Sequence, residues 1–200
     1  MSKTDFGAII DIIYSFLLCR KSILRQLSIS LSHMKKTLIL DQADITQKTR
    51  RMAYQIVEDN YDEKEIIMIG IRSSGYEYAK LLKKEIEAIS EISIKFLSLT
   101  MDKNEPLTHP IKVDNDKLSF DKKVILLVDD VANTGKTMYY ALKPIMEYSP
   151  KKVQVAVLVD RQHKLFPIST DFVGLSLSTT MQEHIKVELD KSGKAEAYLV

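Results

Sequence analysis

The chain has 200 residues, with 29 Lys plus Arg against 27 Asp plus Glu, a formal net charge of +2, one Cys, no Trp and 45% hydrophobic residues. This composition excludes collagen, coiled coil, disulfide scaffold and disordered chain, and the near-neutral charge gives no global pull toward nucleic acid, anionic membrane or acidic partners. The lone Cys19 can form neither an intramolecular disulfide nor a redox pair nor a zinc knuckle, so a reducing cytoplasm is the expected compartment.

In chain order, the first feature is the apolar run from Phe6 to Cys19, which contains Asp11 and is too short for a membrane span. It lacks a basic leader and a small-x-small cleavage site, so neither secretion nor membrane association is expected. Residues 1–33 are read as an N-terminal extension, either a packed amphipathic helix or sequence ahead of a natural start at Met34, and 34–200 as the functional domain. Ile45, Met52, Ala53, Ile56 and Val57 recur at helical spacing. Ile66 to Ile71 is a continuous apolar run, hence a buried strand, ended by Ser73-Ser74-Gly75. Tyr76, Ala79, Leu82, Ile86 and Ile89 then mark a second helix. A strand is predicted at Ile94 to Leu99, followed by a polar stretch from Asp102 to Asp121 with Pro106 and Pro110, whose length predicts a mobile functional loop. The next strand is Val124 to Val128. It runs into Asp129-Asp130-Val-Ala-Asn-Thr-Gly-Lys-Thr137, after which Met138, Leu142, Ile145 and Met146 predict a helix reaching Pro150. Val153 to Val159 is the last buried strand and ends at Asp160-Arg161. His184 to Leu189 and Ala197 to Val200 flank Asp190-Lys-Ser-Gly193 as an antiparallel hairpin. The fold class is therefore α/β: a parallel sheet flanked by helices, with a C-terminal antiparallel hairpin and a ligand site at the carboxyl ends of the strands.

The chemistry concentrates between Asp129 and Thr137. Two carboxylates leave a buried strand, and a Thr-Gly-Lys-Thr turn opening a helix offers unpaired amides to an anion. A ribose 5-phosphate satisfies both halves, because carboxylates accept hydrogen bonds from sugar hydroxyls while amides and Thr hydroxyls hold phosphate. A Walker A loop would need glycine where Asp130 stands, and an acid there repels the phosphates it should cradle. A response-regulator receiver would need a lysine at a further strand end, which the chain does not supply, although Asp160 could stand for its phosphoacceptor. The plainest reading, that Asp130 caps a turn and Thr-Gly shapes it, uses only a fraction of the motif.

Val124-Ile-Leu-Leu-Val-Asp-Asp-Val-Ala-Asn-Thr-Gly-Lys-Thr137 resembles the phosphoribosyl-diphosphate binding motif of type I phosphoribosyltransferases. Ile39-Leu-Asp41, Gly70-Ile-Arg-Ser-Ser-Gly75, Val155 to His163 and Phe166 to Gly174 are similar to the uracil phosphoribosyltransferase branch that doubles as a pyrimidine operon attenuator. The likeness covers roughly residues 38 to 200 and implies that 34–200 is a phosphoribosyltransferase domain with that fold and a small hood, formed by the C-terminal hairpin and the first core segment. By this resemblance Asp129 and Asp130 hold the ribose 2- and 3-hydroxyls, and Ala132, Asn133, Thr134, Gly135, Lys136 and Thr137 hold the 5-phosphate. Arg72, Ser73, Ser74 and Gly75 hold the pyrophosphate, and Mg²⁺ bridges pyrophosphate and ribose through substrate oxygens and water, with no direct protein ligand assigned. Asp160 and Arg161, at a strand end on the side where open α/β sheets bind ligands, read either as the base, pyrophosphate or cation side or as a structural turn. The implied reaction joins a nucleobase, uracil, to phosphoribosyl diphosphate and releases pyrophosphate by displacement at the anomeric carbon, with no covalent nucleophile. The implied partners are phosphoribosyl diphosphate, a base or nucleotide, and further copies of the chain in a homo-oligomer. The alternative is a nucleotide-sensing regulator that binds RNA and keeps the pocket with little catalysis.

Two departures from the branch stand out. Ser74 occupies the place of a basic residue late in the pyrophosphate loop, with Arg72 keeping a charge two residues earlier, and Thr100 to Asn104 carries Lys103 where the branch has an arginine, a point charge in place of a fork. Lys35, Lys36, Arg50 and Arg51 read as solvated charge, His109 and His163 as loop histidines, and Tyr139-Tyr140 as packing. The backbone of Phe166-Pro-Ile168 is expected to match the donor and acceptor edge of a pyrimidine.

Overall fold

The structure, a computed structural model, describes residues 36–103, 105–114, 118–180, 183–189 and 195–200. The expected extension at 1–33 and the Asp190-Gly193 turn lie outside these residues. Strand β1 (Thr37–Leu40) leads into helix α1 (Gln42–Asp59). The helix begins there because Asp41 and Asp44 cap each other: the Asp44 amide donates to Asp41 Oδ1 at 2.8 Å and the Asp41 amide to Asp44 Oδ2 at 3.2 Å. These bonds satisfy donors that the first helical turn leaves unpaired.

Strands β2 (Glu65–Ile71), β3 (Ser93–Thr100), β4 (Lys112–Val113), β5 (Val124–Ala132), β6 (Lys152–Arg161) and β7 (Phe172–Leu177) form one sheet, with helices α2 (Ser74–Ile89) and α3 (Lys136–Ala141) in the connections. Its order is β4-β3-β2-β5-β6-β7, parallel except for β4. Alternate residues of the central strands enter two cores. Ile66, Met68, Val124 and Leu126 pack with Met52, Ile56, Leu82 and Ile86 of the first two helices, while Ile67, Ile69, Ile125 and Leu127 pack with Met138, Ala141 and Ile145. Burial on both faces is why these strands read as unbroken apolar runs. Strands β8 (Ile185–Leu189) and β9 (Ala195–Leu199) pair as an antiparallel hairpin, and β1 adds to β9, giving a small sheet of order β1-β9-β8. This is the expected hood, with Ile185, Val187, Ala195 and Ala197 joining the first core.

Three expectations are corrected. The helix after Gly135 ends at Ala141 and continues as turns, because Pro144 has no amide to give and Lys143 bonds back only to Tyr140 O at 3.1 Å. Met146 is consequently exposed. On α2 it is Tyr78, not Tyr76, that is buried, since Tyr76 stacks on Phe96 at the helix margin. The polar stretch from Asp102 to Asp121 contains β4, paired through Leu99 with Val113.

The chain moves outward from β2 to β3 and β4, returns past β2 to β5, then moves outward the other way to β6 and β7. That reversal leaves a crevice between the carboxyl ends of β2 and β5, the place where open α/β sheets bind ligands. Among the described residues no helix is long and apolar enough to cross a membrane.

Candidate active site

The sequence placed Asp129 and Asp130 in a loop; they lie within β5. The strand continues because β6 also continues, with Asp129 opposite Val157 and Ala132 opposite Asp160. Asp129 is 2% exposed and Asp130 is 8% exposed. The β2–α2 turn closes against them: a Cβ on Gly75 would stand 2.2 Å from Asp129 Oδ1 and 2.9 Å from its Cα, so only glycine permits this approach. Lys103 Nζ reaches Asp129 at 3.1 and 3.2 Å and Asp130 Oδ1 at 4.0 Å. Burial first, and the Asp130 charge second, push the Asp129 carboxyl well above the usual carboxylate range, with Lys103 opposing. Such an acid gains from any partner that donates hydrogen bonds or brings positive charge.

Directly after the acids, Val131 to Met138 line a small cavity of about 40 Å³. Gly135 turns the chain at φ 82° ahead of α3, and the Thr134 hydroxyl accepts from the Lys136 amide at 3.3 Å. Ala132, Asn133, Thr134, Gly135, Lys136 and Thr137 thus share one concave loop. With α3 only 6 residues long, the loop amides supply more of the anion-binding character than a helix dipole can.

Across the crevice, Ser73 is held at φ 78°, ψ −101°, a conformation rarely occupied outside glycine. Its neighbours explain the constraint. The Arg72 amide donates to Leu99 O at 2.9 Å, and its guanidinium donates to Ser98 Oγ at 3.1 Å and Asp114 Oδ2 at 2.9 Å, while Ser98 also donates to Asp114. Arg72 is therefore laid along the β3–β4 side. Ser74 opens α2, and Gly75 is the residue of this turn that touches Asp129.

At the end of β6, Asp160 forms an ion pair with Lys164 and accepts from Thr170 Oγ1 at 3.2 Å. Arg161 is buried, its guanidinium donating to Thr179 Oγ1 and Thr180 O, both at 2.5 Å. The segment that follows Asp160 folds back onto the loop from Ala132 to Thr137, where the Leu165 and Phe166 amides donate to Thr134 O at 2.9 and 3.0 Å. Tyr139 and Tyr140 contact the Phe166 ring, with centroids 5.5 and 6.1 Å away.

Lys103, Gly75 as the partner of Asp129, and Lys164 are the participants that sequence reasoning missed or undervalued. In the sequence Lys103 is a lone charge after β3, and only the path of the β3–β4 connection brings it to face the acids. Lys164 lies four residues after Asp160, a spacing that was visible though its loop conformation was not.

A sequence model of the family described as phosphoribosyl transferase domain matches residues 36–192. Over 176 residues the chain is 34% identical to the bifunctional protein PyrR of Alkaliphilus metalliredigens, a match covering 83% of this chain and 95% of that one. It is 30% identical over 174 residues to the protein of the same name from Staphylococcus saprophyticus, covering 84% and 99%. Among solved structures, a hypoxanthine-guanine phosphoribosyltransferase from Bacillus anthracis superposes with TM-score 0.66 at 18% identity, covering 82% of this chain and 98% of that one. The hypoxanthine phosphoribosyltransferase of Trypanosoma cruzi gives TM-score 0.66 at 14% identity, covering 82% and 95%. At such identities the structural likeness speaks for the fold alone.

Proposed function

The chain belongs to the phosphoribosyl transferase domain family and is an enzyme of pentosyl transfer, and from that premise we propose that it joins uracil to phosphoribosyl diphosphate with release of pyrophosphate. The observation that supports the site assignment is the close approach of Gly75 to Asp129, which brings the turn from Arg72 to Gly75, the two acids and the loop from Ala132 to Thr137 around one crevice. Asp129 and Asp130 accept hydrogen bonds from the 2- and 3-hydroxyls. Their shared desolvated charge is available to the positive charge that grows on the ribose as pyrophosphate departs. The loop from Ala132 to Thr137 seats the 5-phosphate, and the turn from Arg72 to Gly75 receives the leaving group. Holding both ends of the sugar aligns the anomeric carbon with the incoming base.

A divalent cation suits this arrangement. Asp129 is fully desolvated, raised by its neighbour and already drawing in a lysine, so added positive charge is stabilised here. The described residues contain no cluster of three or more His, Cys, Asp or Glu groups that could hold a metal. Asp129 and Asp130 are the residues that would face Mg²⁺, which would supply positive charge against the departing group.

Support for uracil comes from the likeness of residues 155–174 to the uracil branch and from the placement of Phe166-Pro-Ile168 beside the phosphate loop. Incorporation of radiolabelled bases with phosphoribosyl diphosphate, run in parallel for uracil, hypoxanthine, guanine and adenine, tests it. Uracil is expected to dominate, and preferential use of a purine would reassign the base while leaving the transferase standing.

The word bifunctional in the relatives' names supports a second reading, that the domain also binds RNA under nucleotide control. The α1 face offers Arg50, but Arg51 is not merely solvated charge: its guanidinium donates to Val173 O at 2.7 Å and Gly174 O at 2.9 Å. Filter binding of RNA with and without uridine monophosphate decides this, and salt-independent absence of retention removes it.

A further inference from the structure

We propose that the segment from Lys164 to Phe166 mechanically couples the phosphate loop to the base-side loop, so that filling the 5-phosphate site pre-shapes the base site; Lys164 and Phe166 are positioning residues in this device. The inference rests on the site assignment above. It begins with two peptide units. The Ala132 carbonyl shares a rigid plane with the Asn133 amide, and the Thr134 carbonyl with the Gly135 amide, and in a trans peptide the N–H and C=O point in opposite directions. A phosphate that takes the amides of the loop therefore fixes the direction of the carbonyls behind them.

Those carbonyls hold the other loop. Thr134 O accepts from both the Leu165 amide at 2.9 Å and the Phe166 amide at 3.0 Å. Lys164 Nζ lies 3.4 Å from Ala132 O while paired with Asp160, so a single ammonium spans the phosphate loop, the end of β6 and the start of the base-side loop. Phe166 locks the join from the far side. Its ring packs on Tyr139 and Tyr140 of α3, and its carbonyl comes so near Gly135 that a Cβ there would stand 3.3 Å away. Hydrogen bonds to the two ends of one peptide unit polarise it and strengthen one another. Phosphate on the amide side thus tightens the grip on Leu165 and Phe166 without touching either residue.

The consequence is reciprocal. If phosphate improves base binding by some factor, the base improves phosphate binding by the same factor. A base arriving before the sugar phosphate meets a looser loop, which discourages unproductive occupation.

Hydrogen exchange resolved at single amides, followed while ribose 5-phosphate is titrated into the full chain, tests the coupling without requiring any base. Protection is expected in Asn133 to Thr137 and, in parallel, at least about five-fold slower exchange at Leu165 and Phe166. Protection of the phosphate loop alone would overturn the coupling and leave the phosphate site standing. Protection of neither segment would overturn both. In K164M at saturating ribose 5-phosphate, Asn133 to Thr137 are expected to stay protected while the parallel protection of Leu165 and Phe166 falls below about two-fold, and K164R restores it. A calorimetric arm measures uracil with and without ribose 5-phosphate. A gain of about five-fold or more is expected, shrinking in K164M, and equal uracil affinity in both conditions would overturn the coupling even where uracil remains the accepted base.

Discussion

The two walls of the crevice are built differently. On the β5–β6 side, Asp129 is shielded by Gly75, Asp160 is clamped by Lys164 and Thr170, and the phosphate loop is stapled to the segment behind it. On the β2–β3 side, the groups that would meet pyrophosphate are held by an ion pair whose side chains are 57% and 49% exposed, Arg72 with Asp114. Exposed pairs contribute at most about 1 kcal/mol and exchange partners readily, whereas buried bonded groups cost several times more to move. The difference teaches a division of labour. Under the proposed assignment, the part of the substrate that stays in the product, the ribose phosphate, would face the fixed wall, and the part that must leave would face the wall that can let go.

The severest way to break this contrast is to disturb the fixed wall at its tightest contact. Gly75→Ala places a methyl 2.2 Å from Asp129 Oδ1 and 2.9 Å from Asp129 Cα, and backbone cannot retreat as a flexible side chain would. The acid or the turn must shift, and a displacement of about 1 Å at a reacting centre costs roughly 100-fold in rate. We expect transfer activity to fall by about 100-fold or more, with a loss of roughly 1–3 kcal/mol in denaturant-derived stability from overpacking. Unchanged turnover would mean that the turn and the acids do not share a site.

Asp129→Asn comes next. Removing a charged acceptor of ribose hydroxyls should raise the barrier by roughly 1.5–3 kcal/mol, about 10- to 150-fold in kcat/KM, and Asp130→Asn should act in the same direction. Stability should move the other way. Burial and the Asp130 charge raise the folded-state pKa of Asp129, so its contribution to stability is fully present below the unfolded value near 3.9 and is lost as pH climbs through the raised value. Above the unfolded value the raised carboxyl is therefore a net cost to stability that asparagine removes. Differential scanning calorimetry should give the variant a higher Tm at pH 7, the margin closing toward about pH 4. A lower Tm at pH 7 would show that Lys103 already compensates the acid.

Much of the fixed wall was legible in the sequence, because its signals are local. Val124 to Thr137 carries strand, acids and turn in one uninterrupted string, and Ile66 to Gly75 reads the same way. What escaped depended on chain return. The sequence ends the β5 strand at Val128 because Asp129 is charged, yet pairing with β6 runs on to Ala132, so tertiary hydrogen bonding overrode the polarity cue. The early end of α3 follows from Pro144, a local signal that opposes the apolar spacing beyond it. The open wall was least legible: two-residue β4 has no periodicity to detect, yet it brings Asp114 to Arg72, and the same connection carries Lys103 to the acids.

Lys103→Met sharpens the comparison from the junction of the two walls. The lysine lies on the β3–β4 connection, side chain 36% exposed, yet its charge serves a carboxylate that is 2% exposed. Losing it leaves Asp129 facing Asp130 with less compensation, which drives the Asp129 carboxyl further up and moves the acid limb of the kcat/KM profile to higher pH. With screening at the exposed lysine, the stability loss at neutral pH should be only about 1 kcal/mol. Activity at pH 7 should fall roughly three- to ten-fold, and Lys103→Arg should recover most of it because the charge remains. A pH profile that does not move would place Lys103 outside the working site.

The smallest effect, and the most discriminating for the open wall, is expected from Asp114→Asn. The Ser98 hydroxyl first, and Arg72 after it, hold Asp114 below the usual carboxylate range, so the Arg72 pair persists across neutral and mildly acidic pH. If Arg72 belongs to the pyrophosphate turn, this acid competes with pyrophosphate for the guanidinium. Weakening the competitor should lower the inhibition constant of pyrophosphate by about two- to five-fold, with stability changed by no more than about 0.5 kcal/mol because the pair is exposed. Arg72→Met should raise that constant in the same assay. The opposite outcome for Asp114→Asn, weaker pyrophosphate binding, would mean that Asp114 aims Arg72 at the leaving group rather than restraining it, and the open wall would then be as preorganised as the closed one.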